Sequence, residues 1–454
     1  MIDFDKIAKY SKAGPRYTSY PTAIEFHDGF THLDYQKALQ DSNHSNLPLS
    51  LYFHLPFCRS ACYFCGCNVI YTSQEEKKAQ YIVYLQKELE LLKRHLDTKR
   101  EVIQLHFGGG TPTFFNADEL ARIIELIKET FTNFSTQAEV SCEIDPRFFN
   151  TQQMQVLSNG GFNRVSFGVQ DFDERVQNAI HRIQSVELVE NAVKIARDAG
   201  IKSINFDLIT GLPYQTLESF LQTLQKVIKL SPDRLAIFNY AHLPWLKKTM
   251  RKIDETTLPT PKEKLKILQE TIELLDQNHY KLIGMDHFAK QEDELYIAKQ
   301  KGELRRNFQG YTTRGFSQTI GIGLTSIGEG ENYYAQNHKE MKAYTQALDE
   351  GILPTSKGIW LTQEDRLRKE VIMQIMNNLS IEYTQIEQKF HINFQEHFAS
   401  SLQALKQYQE IGLIQFHDNG FRATPTGGIL IRNIAMEFDP YLAKIRKDTF
   451  SKTL

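Results

Sequence analysis

The stretch 49-LSLYFHLPFCRSACYFCGCN-68 decides how the chain is read. Its first seven residues are short and mostly apolar, the composition of a strand buried on both faces. Four cysteines follow at once, and a long amphipathic helix is expected over 75–96. The same succession then recurs down the chain. Strands are expected at 102–107, 138–144, 164–169, 204–209 and 235–239, with helical segments such as 118–131 between them. Short apolar strands alternating with amphipathic helices predict an α/β fold whose parallel sheet is covered on both faces. Six or more such units form either an open sheet or an incomplete barrel, and periodicity does not choose between them. In either case polar residues at the carboxyl ends of strands are the favoured site positions. His54, Thr111, Glu143, Gln170 and Asp207 are expected there.

Outward from this rhythm the pattern weakens. Residues 1–47 are turn-rich, with GPRYTSYPTA at 14–23, and read as an N-terminal arm. Residues 48–350 read as the large domain, with a further helix over 262–277 and a Gly-rich apolar segment at 320–327. Beyond about residue 360 the chain turns helical up to Gly412, so 351–454 reads as a mostly helical C-terminal domain. The strand-turn-strand in IQFHDNGFRATPTGG at 414–428 suggests a small winged-helix-like unit inside it.

A formal net charge of −2 supplies no overall positive field, which argues against a largely electrostatic nucleic-acid binder. The first residues hold no secretory-type apolar stretch and no segment approaches about 18 apolar residues, so the expectation is a cytoplasmic protein without membrane insertion.

Of five cysteines, four fall between positions 58 and 67. A disulfide framework spreads its cysteines to staple distant loops, whereas this crowding reads as metal binding. Structural zinc would take Cys58, Cys62, Cys65 and Cys67, but zinc sites usually use paired Cys-x-x-Cys units held apart by a longer loop. Three thiolates from Cys58, Cys62 and Cys65 suit three irons of a [4Fe–4S] cubane better, with the fourth iron open to the amino and carboxylate groups of S-adenosylmethionine. Cys67 is either a fourth ligand of an electron-transfer cluster or an ordinary neighbour. Cys142, alone in SCEIDP, reads as a buried strand residue.

Gly108–Thr111 is the second pointer. Three glycines after a strand let backbone N–H and C=O groups approach a ligand, and no Walker or Rossmann spacing accompanies them. Beside the cysteine cluster the turn suits a methionyl amine; alone it would be a tight turn. Glu143 can orient an amino group or ribose, Arg182 can grip a carboxylate with its rigid fork, and Asp207 can accept from an amine or hydroxyl. The plainer alternatives are helix caps for both carboxylates and a solvated face for Arg182. Tyr52, His54, Tyr63 and Phe64 surround the loop and either face adenine or simply pack it. His242 and His287 are cavity or surface residues.

At this point the chain strongly resembles the oxygen-independent coproporphyrinogen III oxidases, a radical S-adenosylmethionine family. The resemblance runs through GPRYTSYPTA, LYFHLPFCRSACYFCGCN (51–68), FGGGTPTF (107–114), EIDPR (143–147), FGVQDF (167–172), INFDLITGLPYQT (204–216), YAHLPW (240–245) and NFQGYTT (307–313). It implies a partial (β/α)6 TIM-like barrel, an N-terminal element guarding the site and a mostly helical C-terminal domain. It implies that Cys58, Cys62 and Cys65 ligate the cluster while Cys67 does not. It further implies two bound S-adenosylmethionine molecules, with Tyr52, Phe64, Gly109, Gly110, Thr111, Glu143, Gln170, Arg182, Asp207, Ala241 and Ile327 at the nucleotide positions. The implied substrate is coproporphyrinogen III, whose two propionates become vinyl groups with a low-potential electron donor and a final electron acceptor as partners; a monomer is expected. Arg16 is a candidate partner for the anionic tetrapyrrole, and Arg314 has no assigned role. The related haem-chaperone class keeps the cysteines without decarboxylating, but generally lacks the PRYTSYPTA arm and differs after the third cysteine. A plain iron–sulfur carrier would need little beyond the cluster loop.

Overall fold

The computed structural model describes residues 2–444. The described residues build a main sheet of twelve strands. Six of them alternate with helices: β1 Leu49–Leu55, β2 Val102–Gly109, β3 Phe134–Ile144, β4 Arg164–Gln170, β5 Ser203–Thr210 and β6 Arg234–Asn239. They lie side by side in chain order, each parallel to the next. Between them run helices Glu75–Leu92, Ala117–Thr130, Thr151–Asn159, Val186–Asp198 and Leu217–Leu230. Asn116 with Glu119, Asn150 with Gln153, and Thr216 with Ser219 form capping boxes that start three of them where each strand's return must begin.

The remaining strands extend this core at both edges. β7 Tyr280–Gly284 and β8 His287–Lys290 form a hairpin added antiparallel to β6. On the other side β9 Gln318–Ile322 pairs parallel with β1, and β10 Ile327–Glu329, β11 Tyr333–Asn337 and β12 Thr355–Trp360 follow antiparallel. The order is β12-β11-β10-β9-β1-β2-β3-β4-β5-β6-β8-β7, so the ladder is mixed and its two ends are not hydrogen-bonded to each other. The antiparallel additions were not expected from the α/β rhythm, because these strands are short and β9, β10 and β11 follow one another without a helix between them. The apolar segment at 320–327 divides into β9 and the start of β10 around a turn in which Gly323 has φ +95°.

Alternate residues of the central strands, among them Phe53, Phe107, Phe167 and Phe206, are fully buried in the main core. Each such side chain contributes about 2–3 kcal/mol by leaving water. A short hairpin, Arg305–Asn307 with Gly310–Thr312, reaches the polar side of β2, where Asn307 Nδ2 donates to Gln104 Oε1 at 3.3 Å and Gln104 Nε2 donates to Thr312 Oγ1 at 3.4 Å.

A second core joins the two ends of the chain. Ile7, Tyr17 and Tyr20 are buried with Leu367, Val371, Ile375, Phe394, Phe421 and Phe438, and Tyr17 OH donates to Asp439 Oδ2 at 2.9 Å. The N-terminal stretch is more structured than its weak periodicity suggests, with helices at Phe4–Tyr10 and His32–Ser42. In the C-terminal region helix Ala399–Glu410 ends before Gly412, and strands Ile414–His417 and Gly420–Ala423 pair antiparallel with Ser380–Glu382 beside them. No helix among the described residues is long and apolar enough to cross a membrane.

Candidate active site

The carboxyl ends of the parallel strands open on one cleft of about 280 Å³. Cys58, Cys62 and Cys65 line it with Phe64, Gly109, Gly110, Thr111, Glu143, Gln170, Arg182 and Asp207. Eleven of the fourteen residues singled out in the sequence therefore meet in one place. Tyr52, Ala241 and Ile327 are not among those lining it. Glu143 and Asp207 lie inside their strands, one and three residues before the ends, rather than beyond them.

Backbone bonds lock the cysteine loop to the glycine turn. Gly110 N–H donates to Leu55 O and Thr111 N–H to Phe57 O, both at 2.9 Å, while Cys65 N–H closes on Cys62 O at 3.2 Å. A Cβ at Gly110 would stand 2.7 Å from Phe57 O, so only glycine permits this approach. Gly109 has φ +112°, and a Cβ there would meet the His54 ring at 2.6 Å. Thr111 Oγ1 lies 3.4 Å from Cys58 Sγ.

Positive charge converges on one sulfur. Arg182 Nη1 lies 3.5 Å and Arg147 Nη2 3.6 Å from Cys62 Sγ, and both nitrogens also donate to Asp145 Oδ2, at 2.9 and 2.8 Å. Burial works against the Asp145 charge, but the two guanidinium groups hold its carboxyl below the ordinary range. Burial pushes the Cys58 thiol up to about 12. The Cys65 thiol is drawn below its ordinary value, chiefly by a hydrogen bond from Cys67 and further by the Lys247 and Arg182 charges. Cys67 is exposed at the rim, and Lys247 Nζ donates to its carbonyl at 2.9 Å.

The carboxylates are not helix caps. Glu143 Oε2 accepts from Gly109 N–H at 3.2 Å and its Oε1 lies 3.3 Å from His106 Nε2. Burial opposes ionisation, yet His106 and the Gly109 amide bring this carboxyl below its usual value. Asp207 differs: burial and the Glu143 charge raise it to about 7, against hydrogen bonds from Ser166 and Asn205, both at 2.9 Å. Arg182 is 7% exposed and so does not lie on a solvated face.

Tyr52 stands one layer back. Its ring stacks on His106 at 5.9 Å and 14°, and its hydroxyl is 3.0 Å from His54 Nδ1, whose Nε2 meets Asn68 O at 3.0 Å. Phe64 both lines the cleft and packs with Tyr63 and Leu243 against Val176, Ile209 and Met250. Ala241 follows β6 in a half-buried position, and Ile327 packs beside Phe26 and Tyr334. Cys142 is fully buried in β3. His242 bridges Tyr240 and Glu255, His287 bonds Asp286, and Arg314 donates to Gln137 O. His106, Asp145 and Arg147 escaped the sequence reading of roles, although Asp-Pro-Arg directly follows Ile144 at a strand end, where site residues gather.

Among the described residues no three His, Cys, Asp or Glu side chains are gathered as ligands of a single ion. The donor set is the test of fit for a larger group. Four soft thiols, those of Cys58, Cys62, Cys65 and Cys67, open on one cleft with the glycine turn and cationic donors, a set from which three can serve three irons of a cubane with a ligand on the fourth.

Comparison with known proteins agrees with this geometry. Residues 52–227 match the Radical SAM superfamily and residues 361–430 the HemN C-terminal domain. The chain is 62% identical to the oxygen-independent coproporphyrinogen III oxidase of Helicobacter pylori strain J99, over 100% of this chain and 99% of that protein. It is 45% identical to the enzyme of the same description from Escherichia coli K12, with the same coverage. The solved structure of coproporphyrinogen III oxidase (HemN) from Escherichia coli, a radical SAM enzyme, superposes with a TM-score of 0.92 at 44% identity, covering 97% of this chain and 99% of that one. The thiol-lined cleft at the ends of parallel strands and the end-to-end likeness lead to one assignment: the chain belongs to the oxygen-independent coproporphyrinogen III oxidase family of the radical SAM superfamily.

Proposed function

We propose that this protein decarboxylates two propionates of coproporphyrinogen III oxidatively and without oxygen, giving protoporphyrinogen IX for haem synthesis. The observation that carries the reading is the meeting of Cys58, Cys62 and Cys65 with the Gly109–Thr111 turn in one cleft. The three thiols are the cluster ligands in this reading, and Cys67 at the rim is not. Cys58, Cys62 and Cys65 would hold a [4Fe–4S] cluster there, which would supply the one-electron reduction of S-adenosylmethionine that starts radical chemistry at the propionate β-carbon.

The chain's own part is binding and exclusion. Gly109, Gly110, Thr111 and Glu143 receive the methionyl amine, since Glu143 is held ionised next to the exposed edge of the turn. Gln170, Arg182 and Asp207 serve the nucleotide, with Phe64 against the base. Tyr52 acts through His106, and Ala241 and Ile327 contribute from the flanks to a second S-adenosylmethionine. Ile144, Ile209 and Phe238 on the same wall keep water from a radical. Carbon dioxide and one further electron then leave each propionate, so a low-potential donor and a final acceptor are required partners.

We divide the chain into an arm (1–47), a catalytic region (48–350) and a C-terminal domain (351–454). The six consecutive βα units support a partial (β/α)6 barrel, and we place the protein in the cytoplasm as a monomer. The test is anaerobic reconstitution with iron and sulfide. Conversion of coproporphyrinogen III should require both a reductant and S-adenosylmethionine. Haem binding without decarboxylation would move the assignment to the chaperone class.

A further inference from the structure

The cysteine cleft, at about 280 Å³, falls below the roughly 300–1,000 Å³ of ordinary small-molecule pockets. A tetrapyrrole with four carboxylates must therefore extend beyond it. Resting on the substrate reading above, we propose that the cleft between the N-terminal arm and strands β11 and β12 binds propionates of the porphyrinogen through Arg16, Lys339 and Lys357. These are the propionates that are not reacting in a given turnover.

This second cleft measures about 410 Å³, with arm residues Pro15–Ser19 and Thr22–Ile24 on one side and Gln336, Lys339 and Lys357 on the other. Three cations line it, and no Asp or Glu does. Among the described residues the Lys357 ammonium meets neutral groups: it donates to Ala23 O at 3.2 Å and lies 5.6 Å from the centre of the Phe26 ring. Burial and the like charge of Lys339 lower its affinity for a proton. Two ammonium groups lining one cleft without a carboxylate on its walls are a local cost that an arriving anion removes.

The surplus of charge continues behind the arm. Arg16 pairs with Asp286, and Arg306, 8% exposed, donates to the Arg16 carbonyl. Arg306 Nε is buried without a hydrogen-bond partner. Asp286 thus answers three guanidinium groups, those of Arg16, Arg306 and Arg432, and burial together with the Arg16 charge brings Arg432 to about 10. Arg16 is the member of this group that reaches the cleft, with a fork suited to a carboxylate.

Two contacts join the arm cleft to the chemistry. Asn68 Nδ2, at the end of the cysteine loop, donates to Lys339 O at 3.1 Å. The Arg16 guanidinium lies 5.7 Å over the ring of Phe238, which itself lines the cysteine cleft. A macrocycle anchored by carboxylates on the lysines can therefore turn its opposite edge toward the thiols.

The probe is coproporphyrin III, the stable oxidised macrocycle with the same four propionates, titrated into reconstituted holoenzyme by absorbance. Lys339→Ala combined with Lys357→Ala should raise its Kd by about 10- to 100-fold, as expected for two lost charge-assisted contacts. Lys339→Glu, at an exposed position that does not threaten the fold, should weaken binding at least as much as Lys339→Ala. Unchanged Kd in both variants would overturn the arm cleft and leave the proposed activity standing. Wild-type holoenzyme that binds S-adenosylmethionine but takes no coproporphyrin III would instead count against the substrate reading itself.

Discussion

Arg182 donates from Nη1 to Asp145 Oδ2 at 2.9 Å, and both side chains are almost wholly buried beside the cysteine loop. The same nitrogen is 3.5 Å from Cys62 Sγ, so one ion pair positions both a carboxylate and a thiol. A buried pair is costly to break because the remaining charge has no solvent to turn to.

Arg182→Ala should therefore destabilise the protein by about 3 kcal/mol, near the lower end for a broken buried pair, since Arg147 still neutralises Asp145. Arg182→Lys keeps the charge but loses the fork, and should fall between the variant and wild type. Denaturant unfolding under anaerobic conditions measures both. An unchanged midpoint for Arg182→Ala would mean the pair carries no buried charge.

Cys58→Ala, Cys62→Ala and Cys65→Ala should each abolish the cluster, whereas Cys67→Ala should retain it. Cys67 lines the same cleft as the other three but is the exposed one of the four. Iron content and the paramagnetic spectrum of the reduced protein decide the matter. A Cys67→Ala protein without iron would reject the three-ligand assignment.

The six central strands were legible because each is a short apolar run with a helix behind it, as in Leu49–Leu55 and Arg164–Gln170. Asp207 stood out as the lone carboxylate of its run, and Glu143 as the carboxylate nearest the end of a run it shares with Glu139. The antiparallel edge was not legible, since β10 is only three residues long and its partners follow without a helical signal. Nor was His106 a visible site residue: its place beside Glu143 depends on the register of β2 against β3, which sequence periodicity does not determine. The helices of the N-terminal stretch were missed because each is held by distant partners: Phe4–Tyr10 by the C-terminal core around Phe438, and His32–Ser42 by the main core through Tyr35, Ala38 and Leu39.

Asp207 titrates near neutrality because burial and the Glu143 charge raise it to about 7. It is neutral below that value and an anion above it. If it accepts from a nucleotide hydroxyl or amine, S-adenosylmethionine affinity should improve several-fold between about pH 6 and about pH 8, the scale of a charge-assisted bond. Asp207→Asn should bind more weakly and flatten the profile. Equilibrium dialysis across this range is the measurement, and a flat wild-type profile would remove Asp207 from the binding set.

Glu88 supplies a stability prediction far from the chemistry. It is 2% exposed, and its carboxyl accepts from Gly323 N–H at 2.8 Å and from Asn337 Nδ2 at 2.7 Å as well as from Tyr344 OH. Burial nonetheless raises it from an ordinary 4.5 to about 7. Between these values the folded protein holds a proton that the unfolded chain has released. Stability should thus fall as pH rises through this window, by on the order of 3 kcal/mol from this group, and level off above it. Glu88→Gln should be less stable, having lost one acceptor, but with a shallower slope. Thermal midpoints in a series of buffers would show it, and parallel slopes for the two proteins would assign the pH dependence elsewhere.

Gly110→Ala tests whether the glycine turn must touch the cysteine loop. The new methyl carbon would fall 2.7 Å from Phe57 O and from Pro56 C, both backbone atoms that no rotamer change can move. Relief requires the turn to separate from the loop, which breaks the Gly110 N–H bond to Leu55 O and the Thr111 N–H bond to Phe57 O. Two weakened backbone bonds and a local shift should cost about 2–3 kcal/mol. The more telling effect is on function: moving the turn away from the thiols should weaken S-adenosylmethionine binding at least tenfold while iron content stays near wild type. Gly161→Ala is a comparison in which a Cβ meets nothing within 4 Å but φ is +96°, so it carries backbone strain without the clash. Equal loss of nucleotide affinity in the two variants would show that general destabilisation, rather than the contact between turn and loop, is being measured.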